Sequence, residues 1–112
     1  MREKLITELS ALKTKIQDAE NAVFVAYVNL QGEKRLLQDM EDNVLLDMVE
    51  GVKIDGKNAE IRTAQMREVT NDQHNDARDA EYKFEAKKVI LSTLRTELTI
   101  NLALVELVKG VV

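Results

Sequence analysis

The sequence predicts an all-α fold, a long antiparallel two-helix hairpin of the coiled-coil type. Three observations support it: a heptad repeat of apolar residues, the absence of proline, and one glycine-marked interruption near mid-chain. Because the 112 residues include only four glycines, few positions force a helix to stop. We expect a single domain, residues 1–112, with a first arm at about 2–50, a turn at 51–57 and a second arm at about 58–109.

The first arm carries apolar residues at alternating steps of four and three, with one gap at Glu33. These seam residues are Leu5, Leu9, Leu12, Ile16, Ala19, Val23, Ala26, Leu30, Leu37, Met40 and Val44. Such spacing keeps one stripe of a helix against a partner helix. Residues 21–28 contain several β-branched residues, which also suit a strand, but the heptads on both sides favour a helix.

The turn and the second arm are marked by their own signals. Gly51 suits a helix stop, Asp55-Gly56 is a turn dipeptide, and Asn58 suits an N-cap. Thr70 and Gln73 have capping-box spacing, so we expect a kink near 70–73. The second seam follows as Ala77, Ala80, Phe84, Leu91, Leu94, Leu98 and Val105, with Lys87 and Asn101 at seam positions. A short link between two striped helices favours antiparallel packing.

The hairpin hypothesis also predicts a register. If the chain folds back near residue 54, facing residues have numbers that sum to about 108. Phe24 then faces Phe84, and Tyr27 lies near Tyr82. All four aromatic rings of the chain would share one layer.

Two segments are apolar on more than the seam side, which leaves apolar surface for a second layer. They contain Phe24, Val25 and Val28 in the first arm, and Ile100, Leu104, Leu107 and Val108 in the second. Large exposed apolar patches mark interfaces. We therefore predict a homo-oligomer, a larger helical bundle held by these residues. The alternative is that the hairpin curves and covers part of this surface itself.

Charged clusters mark two further candidate surfaces. Asp39, Asp42, Asp47 and Glu50 have no basic neighbour, and we interpret them as a solvated face at which a protein partner can dock. Lys83, Lys87 and Lys88 form the main basic cluster, and ion pairs along the helix explain it most simply. A net charge of −4 argues against nonspecific nucleic-acid binding. The three lysines nevertheless keep a nucleic-acid contact as the alternative function.

No catalytic, metal or cofactor site is expected. The chain has no cysteine and a single histidine, His74, whereas a typical metal site needs three or more converging ligands. The polar stretch around His74 favours a solvated surface histidine. The N-terminal residues lack a signal peptide's apolar run, and no segment is long and apolar enough to span a bilayer. We expect a noncatalytic cytoplasmic protein without a membrane contact.

The turn region carries a resemblance to a known group. The run Gly56-Lys57-Asn58-Ala59-Glu60-x-Arg62-x-Ala64-Gln65 resembles a pattern in short helical-hairpin proteins of tailed phages and prophages. The resemblance covers about ten residues and the helix–turn–helix layout. It implies a phage accessory protein of the bacterial cytoplasm, encoded near replication or recombination functions, and it transfers no catalytic residue.

Overall fold

A computed structural model of the chain describes residues 2–46 and 51–111. In these ranges the chain forms three α-helices and no strand, which confirms the all-α prediction. Helix α1 spans Arg2–Leu45, α2 spans Ala59–Val69 and α3 spans Asn71–Val111. The helices divide into two compact units. The terminal unit consists of Met1–Ala26 and Phe84–Val112, and the central unit is Tyr27–Lys83.

In the terminal unit, the first part of α1 packs antiparallel against the last part of α3. Leu5 and Leu9 line one cleft together with Val105 and Val108. Further along α1, Val23 shares a second cleft with Leu91. Because α1 numbers rise as their α3 partners' numbers fall, the two helices run in opposite directions. The antiparallel hairpin is therefore confirmed at the level of helix packing.

The predicted seam forms the core of both units. Leu12, Ala19, Ala26 and Leu91 are buried in the terminal unit, and Leu30 and Val44 are buried in the central unit. The remaining first-arm seam residues are largely shielded from solvent. In the second arm only Lys87 is exposed among the predicted seam positions. Full burial of a leucine side chain stabilises a fold by about 1.5–3 kcal/mol, so the buried leucines supply much of the packing energy.

The central unit begins its second arm where the sequence predicts it. Asn58 is the N-cap of α2, and its Oδ1 accepts a hydrogen bond of 2.9 Å from the backbone N–H of Ile61. Gly51 has φ 78°, a left-handed conformation that glycine tolerates well. Helix α1 ends at Leu45, earlier than the expected end near 50, and residues 47–50 lie outside the described ranges.

The connection between α1 and α2 is held by two side chains of α2, Gln65 and Arg62. Gln65 Oε1 accepts from the Gly56 N–H at 2.8 Å, and Gln65 Nε2 donates to Asp55 Oδ1 at 3.0 Å. Arg62 Nη1 donates to the Gly56 carbonyl at 3.1 Å. The segment at Asp55 and Gly56 therefore lies against α2. We refer to these three hydrogen bonds as the Gln65 clamp.

The second arm is interrupted at Thr70, inside the range where the kink is expected, but the capping is different. Thr70 is the C-cap of α2, and its Oγ1 hydroxyl donates to the Met66 carbonyl at 2.7 Å, so the side chain bonds back to α2. The Thr70 N–H also donates to Met66, and the His74 N–H donates to the Thr70 carbonyl, both at 3.0 Å. Because these helix-type bonds continue across the cap residue, the interruption is one residue long.

The predicted register is wrong. Glu20 pairs with Arg95 in the terminal unit, and Glu41 pairs with His74 in the central unit, each at 3.6 Å. The numbers of both pairs sum to 115 and not to 108. The difference is one heptad, so the same seam residues still face inward. With this sum, Leu45 at the end of α1 corresponds to position 70, so α2 (Ala59–Val69) has no counterpart in α1.

The predicted layer of four aromatic rings fails with the register. Phe24 is 64% exposed and Tyr82 is 77% exposed, so neither ring is buried as that layer requires. Both rings lie off the seam, whose residues recur at steps of three and four. Phe24 is one position after the seam residue Val23, and Tyr82 is two positions before the seam residue Phe84.

Candidate interaction surfaces

Most of the large apolar side chains outside the seam are exposed. Four predicted interface residues of the terminal unit are exposed: Phe24 to 64%, Val25 to 49%, Ile100 to 56% and Leu107 to 66%. Leu104 in the same unit and Val28 in the central unit are also exposed. Val108 differs, because it is largely shielded and lines the cleft with Leu5 and Leu9.

Further exposed apolar residues were missed by the sequence analysis. They are Ile6, Val89 and Ile90 in the terminal unit, and Leu36, Leu45, Leu46 and Ile61 in the central unit. Leu102, which is also exposed, belongs to the apolar excess that the sequence predicts between 100 and 108. Val89 lies eleven positions before Ile100, which keeps it on nearly the same helical face. The signal that would have found these residues is their position off the seam combined with their size.

The acidic surface is only partly described. Asp39 and Asp42 lie on the exposed side of α1, and Gln38 Nε2 donates to Asp42 Oδ1 at 2.9 Å. Asp47 and Glu50 lie outside the described ranges. What is described is a stretch of α1 with two exposed aspartates close to the exposed Leu36 and Leu46.

The three lysines of the basic cluster lie on α3, and one of them is engaged in contacts. Lys88 Nζ lies 3.0 Å from Glu85 Oε1 and 4.7 Å from the centre of the Phe84 ring. Lys83 and Lys87 are exposed. Lys88 also borders a cleft of about 460 Å³ with Arg95. Exposed ion pairs stabilise by only about 0–1 kcal/mol, so Lys88 can exchange its partner.

His74 is not the solvated histidine that the sequence predicts. Its side chain is 30% exposed, and Nε2 lies 3.6 Å from Glu41 Oε1. The reason is the heptad spacing, because His74 lies three positions before Ala77 and four after Thr70, which places it on the seam side. The polar residues around it hide the repeat. His74 and Glu41 border a cleft of about 510 Å³ together with Met66.

This central cleft contains one unusual polar group. Arg67 lines the cleft, and its Nη1 is buried without a hydrogen-bond partner among the described residues. Gln73 Oε1 is in the same situation. Within the described ranges, no three histidine or carboxylate side chains lie close enough together to share a metal ion.

A third cleft, of about 400 Å³, lies in the terminal unit between the start of α1 and the end of α3. Its apolar lining consists of Leu5, Leu9, Val105 and Val108, with the exposed Ile6 beside them. Two basic residues complete the lining, Arg2 from α1 and Lys109 from α3. We call this surface the terminal cleft.

Comparison of the chain with protein-family models, with curated proteins and with solved structures gave no match in any of the three. None of the described helices combines the length and apolar character that a membrane span requires.

Proposed function

We propose that this chain is a noncatalytic, phage-type accessory protein: a helical hairpin that associates with copies of itself into a larger bundle and binds another protein. The supporting observation is the distribution of apolar side chains. Six apolar residues of the described ranges are buried, whereas sixteen large ones are exposed. Because burial of apolar surface drives association, a second layer of helices would stabilise the hairpin.

We place the self-association surface on the exposed residues Phe24, Val25, Ile100, Leu104 and Leu107 of the terminal unit. We call it the lateral surface. Val28 is exposed in the central unit, and Val108 is left out because it is shielded in the terminal cleft. Helices that expose apolar residues on two sides normally bury both. Sedimentation equilibrium at tens of micromolar protein is expected to show a species larger than the monomer.

Two variants test the lateral surface. Phe24→Ser combined with Leu104→Ser should dissociate the bundle and leave the helix content unchanged, because both side chains are exposed. Tyr82→Ser, an exposed position outside this surface, serves as the matched control and should change nothing. A wild-type protein that remains monomeric at these concentrations would contradict self-association.

The partner-binding part of the proposal rests on the acidic stretch of α1. Asp39 and Asp42 are exposed beside two exposed leucines, Leu36 and Leu46, which is a combination that a basic, apolar protein surface can recognise. Affinity capture from a phage-infected bacterial host should recover a specific protein with wild-type bait. Bait that carries Asp39→Lys and Asp42→Lys should lose it. Equal recovery with both baits argues against this surface.

An accessory nucleic-acid-binding role is the second candidate, because Lys88 and Arg95 border one cleft that also contains Ser92 and Thr96. Hydroxyl and cationic groups along one groove can contact phosphates. The partners Glu85 and Glu20 reduce the positive potential there. Salt-sensitive DNA binding would favour this role if it were lost when Lys83, Lys87 and Lys88 are all changed to alanine.

A further inference from the structure

The terminal cleft combines an apolar floor with a basic rim. Leu5, Leu9, Val105 and Val108 form the floor, and Ile6 beside it is 58% exposed. Among the described residues, Lys109 of the rim forms one ion pair, in which its Nζ lies 3.7 Å from Glu106 Oε1. Both side chains of this pair are more than two-thirds exposed. Such a pair is weak and exchanges readily. The cleft therefore fits an apolar ridge that carries acidic residues.

The exposed side of α1 in the central unit provides such a ridge. Leu36, Asp39, Asn43 and Leu46 follow steps of three, four and three, which places them along one stripe of the helix. Leu36 is 58% exposed and Leu46 is 69% exposed. The backbone N–H of Leu46 still bonds to the Asp42 carbonyl at 3.0 Å, which extends the helical geometry to this residue. We call these residues, with Asp42, the acidic stripe.

The two surfaces have opposite charges, and both carry apolar residues. Two basic residues, Arg2 and Lys109, flank the cleft, and two aspartates lie between the leucines of the stripe. At about 1.5 Å per residue, the stripe from Leu36 to Leu46 spans about 15 Å, and the α1 wall of the cleft spans about 10 Å. A helix with apolar anchors at this spacing is a common ligand of such grooves.

We propose that the acidic stripe of one copy of this chain docks in the terminal cleft of a second copy. Two different surfaces then meet, so the contact is heterologous, and each bound copy still presents a free stripe or a free cleft. Repetition of the contact produces rings or open chains of hairpins. This inference goes beyond the lateral association proposed above and does not depend on it. It assigns to a second copy the residues Asp39 and Asp42 that were proposed above to bind another protein, so the two ligands would compete for the stripe.

Charge-reversal variants test the contact in a background that lacks lateral association, Phe24→Ser with Leu104→Ser. The cleft variant carries Arg2→Glu and Lys109→Glu, and the stripe variant carries Asp39→Lys and Asp42→Lys. Measured by sedimentation velocity, the dissociation constant of each variant alone should be at least about tenfold higher than that of the Phe24→Ser, Leu104→Ser background, which we call the parent. The reason is that two attractive charge pairs become repulsive. Raising the salt concentration should weaken the parental assembly as well.

Mixtures of the variants provide the decisive outcome. An equal mixture should assemble with the two variants in alternation, because the wild-type cleft of the stripe variant binds the wild-type stripe of the cleft variant and the two reversed surfaces are complementary to each other. A single chain with all four reversals should assemble again, since its charges are complementary in the opposite sense. If the mixture stays monomeric and the fourfold variant does not assemble, the proposal is wrong.

A matched control and a cross-link complete the test. Lys13→Glu with Lys15→Glu changes the net charge by the same amount as the cleft variant and should leave assembly unchanged. Because the chain has no native cysteine, Ile6→Cys on one chain and Leu46→Cys on another should form an intermolecular disulfide. Equal cross-linking of Lys13→Cys with Leu46→Cys would contradict the proposed contact. If these tests fail while the wild-type protein still associates laterally, only the contact between the acidic stripe and the terminal cleft is overturned.

Discussion

Substitution of Gly56 by alanine tests how the Gln65 clamp holds the connection between α1 and α2. A Cβ atom at Gly56 would lie 2.5 Å from Ile61 Cγ2, 2.9 Å from Gln65 Oε1 and 3.0 Å from the backbone nitrogen of Arg62. The Arg62 nitrogen belongs to α2 and cannot move by itself. The connection must therefore shift away from the helix.

The expected cost follows from what the shift breaks. Gly56 takes part in two hydrogen bonds of the clamp, one through its N–H and one through its carbonyl. Each contributes about 0.5–1.5 kcal/mol, and the exposed bond to Arg62 belongs at the low end. Overpacking adds about 1 kcal/mol or more. We expect Gly56→Ala to lower the free energy of unfolding by about 2 kcal/mol.

Gly32→Ala is the matched control, with the same chemical change and the opposite expected sign. Gly32 lies inside α1, and a Cβ there meets no heavy atom within 4 Å. Alanine in a helix interior is more stable than glycine by about 0.5–1 kcal/mol. Urea denaturation followed by circular dichroism, at one fixed protein concentration because association shifts apparent stability, measures both variants.

The signs of the two changes decide the outcome. If Gly56→Ala is as stable as wild type, the clamp does not restrain the connection. Hydrogen exchange separates a local from a global effect, because a local opening would expose the Ile61 amide that Asn58 caps without unfolding the α1–α3 seam. Faster exchange at Ile61 alone would show that the connection can detach independently.

Two further predictions concern the N-cap and the register. Asn58→Ala should lower the free energy of unfolding by about 1 kcal/mol, whereas Asn58→Asp should retain most of it, as denaturant titration would show. An Asn58→Ala variant as stable as wild type would mean that the cap contributes nothing. A short bifunctional thiol reagent should cross-link Glu20→Cys with Arg95→Cys within one monomer much faster than Phe24→Cys with Phe84→Cys. The reverse preference would restore the register that sums to 108.

The sequence predicts the seam well because the heptad pattern is a local property of each helix. Leu12 and Leu30 are buried where the repeat places them, and Asn58 caps α2 because its side chain reaches an amide three residues away. The kink is also local, although Thr70 bonds backwards to Met66. Its hydroxyl can serve either helix, and sequence spacing does not distinguish a donor to α2 from an acceptor for α3.

The register and the site of His74 are different, because they depend on contacts between residues far apart in the chain. Registers that sum to 108 and to 115 bury the same seam, so apolar periodicity cannot select between them. The register is reported only by contacts between the two arms, such as the ion pairs of Glu20 with Arg95 and of Glu41 with His74. The sequence does not predict that His74 lies on the seam side, because the polar residues around it interrupt the apolar repeat.

The same distinction bears on function. A seam of alternating three and four steps can stabilise a hairpin in many proteins and therefore carries little information about a partner. The outer residues carry more, because exposed apolar side chains such as Phe24 and Leu107 weaken solubility without stabilising the monomer. We propose that another helix covers them. The lateral surface and the terminal cleft are therefore the two places where substitution should change assembly before it changes the fold.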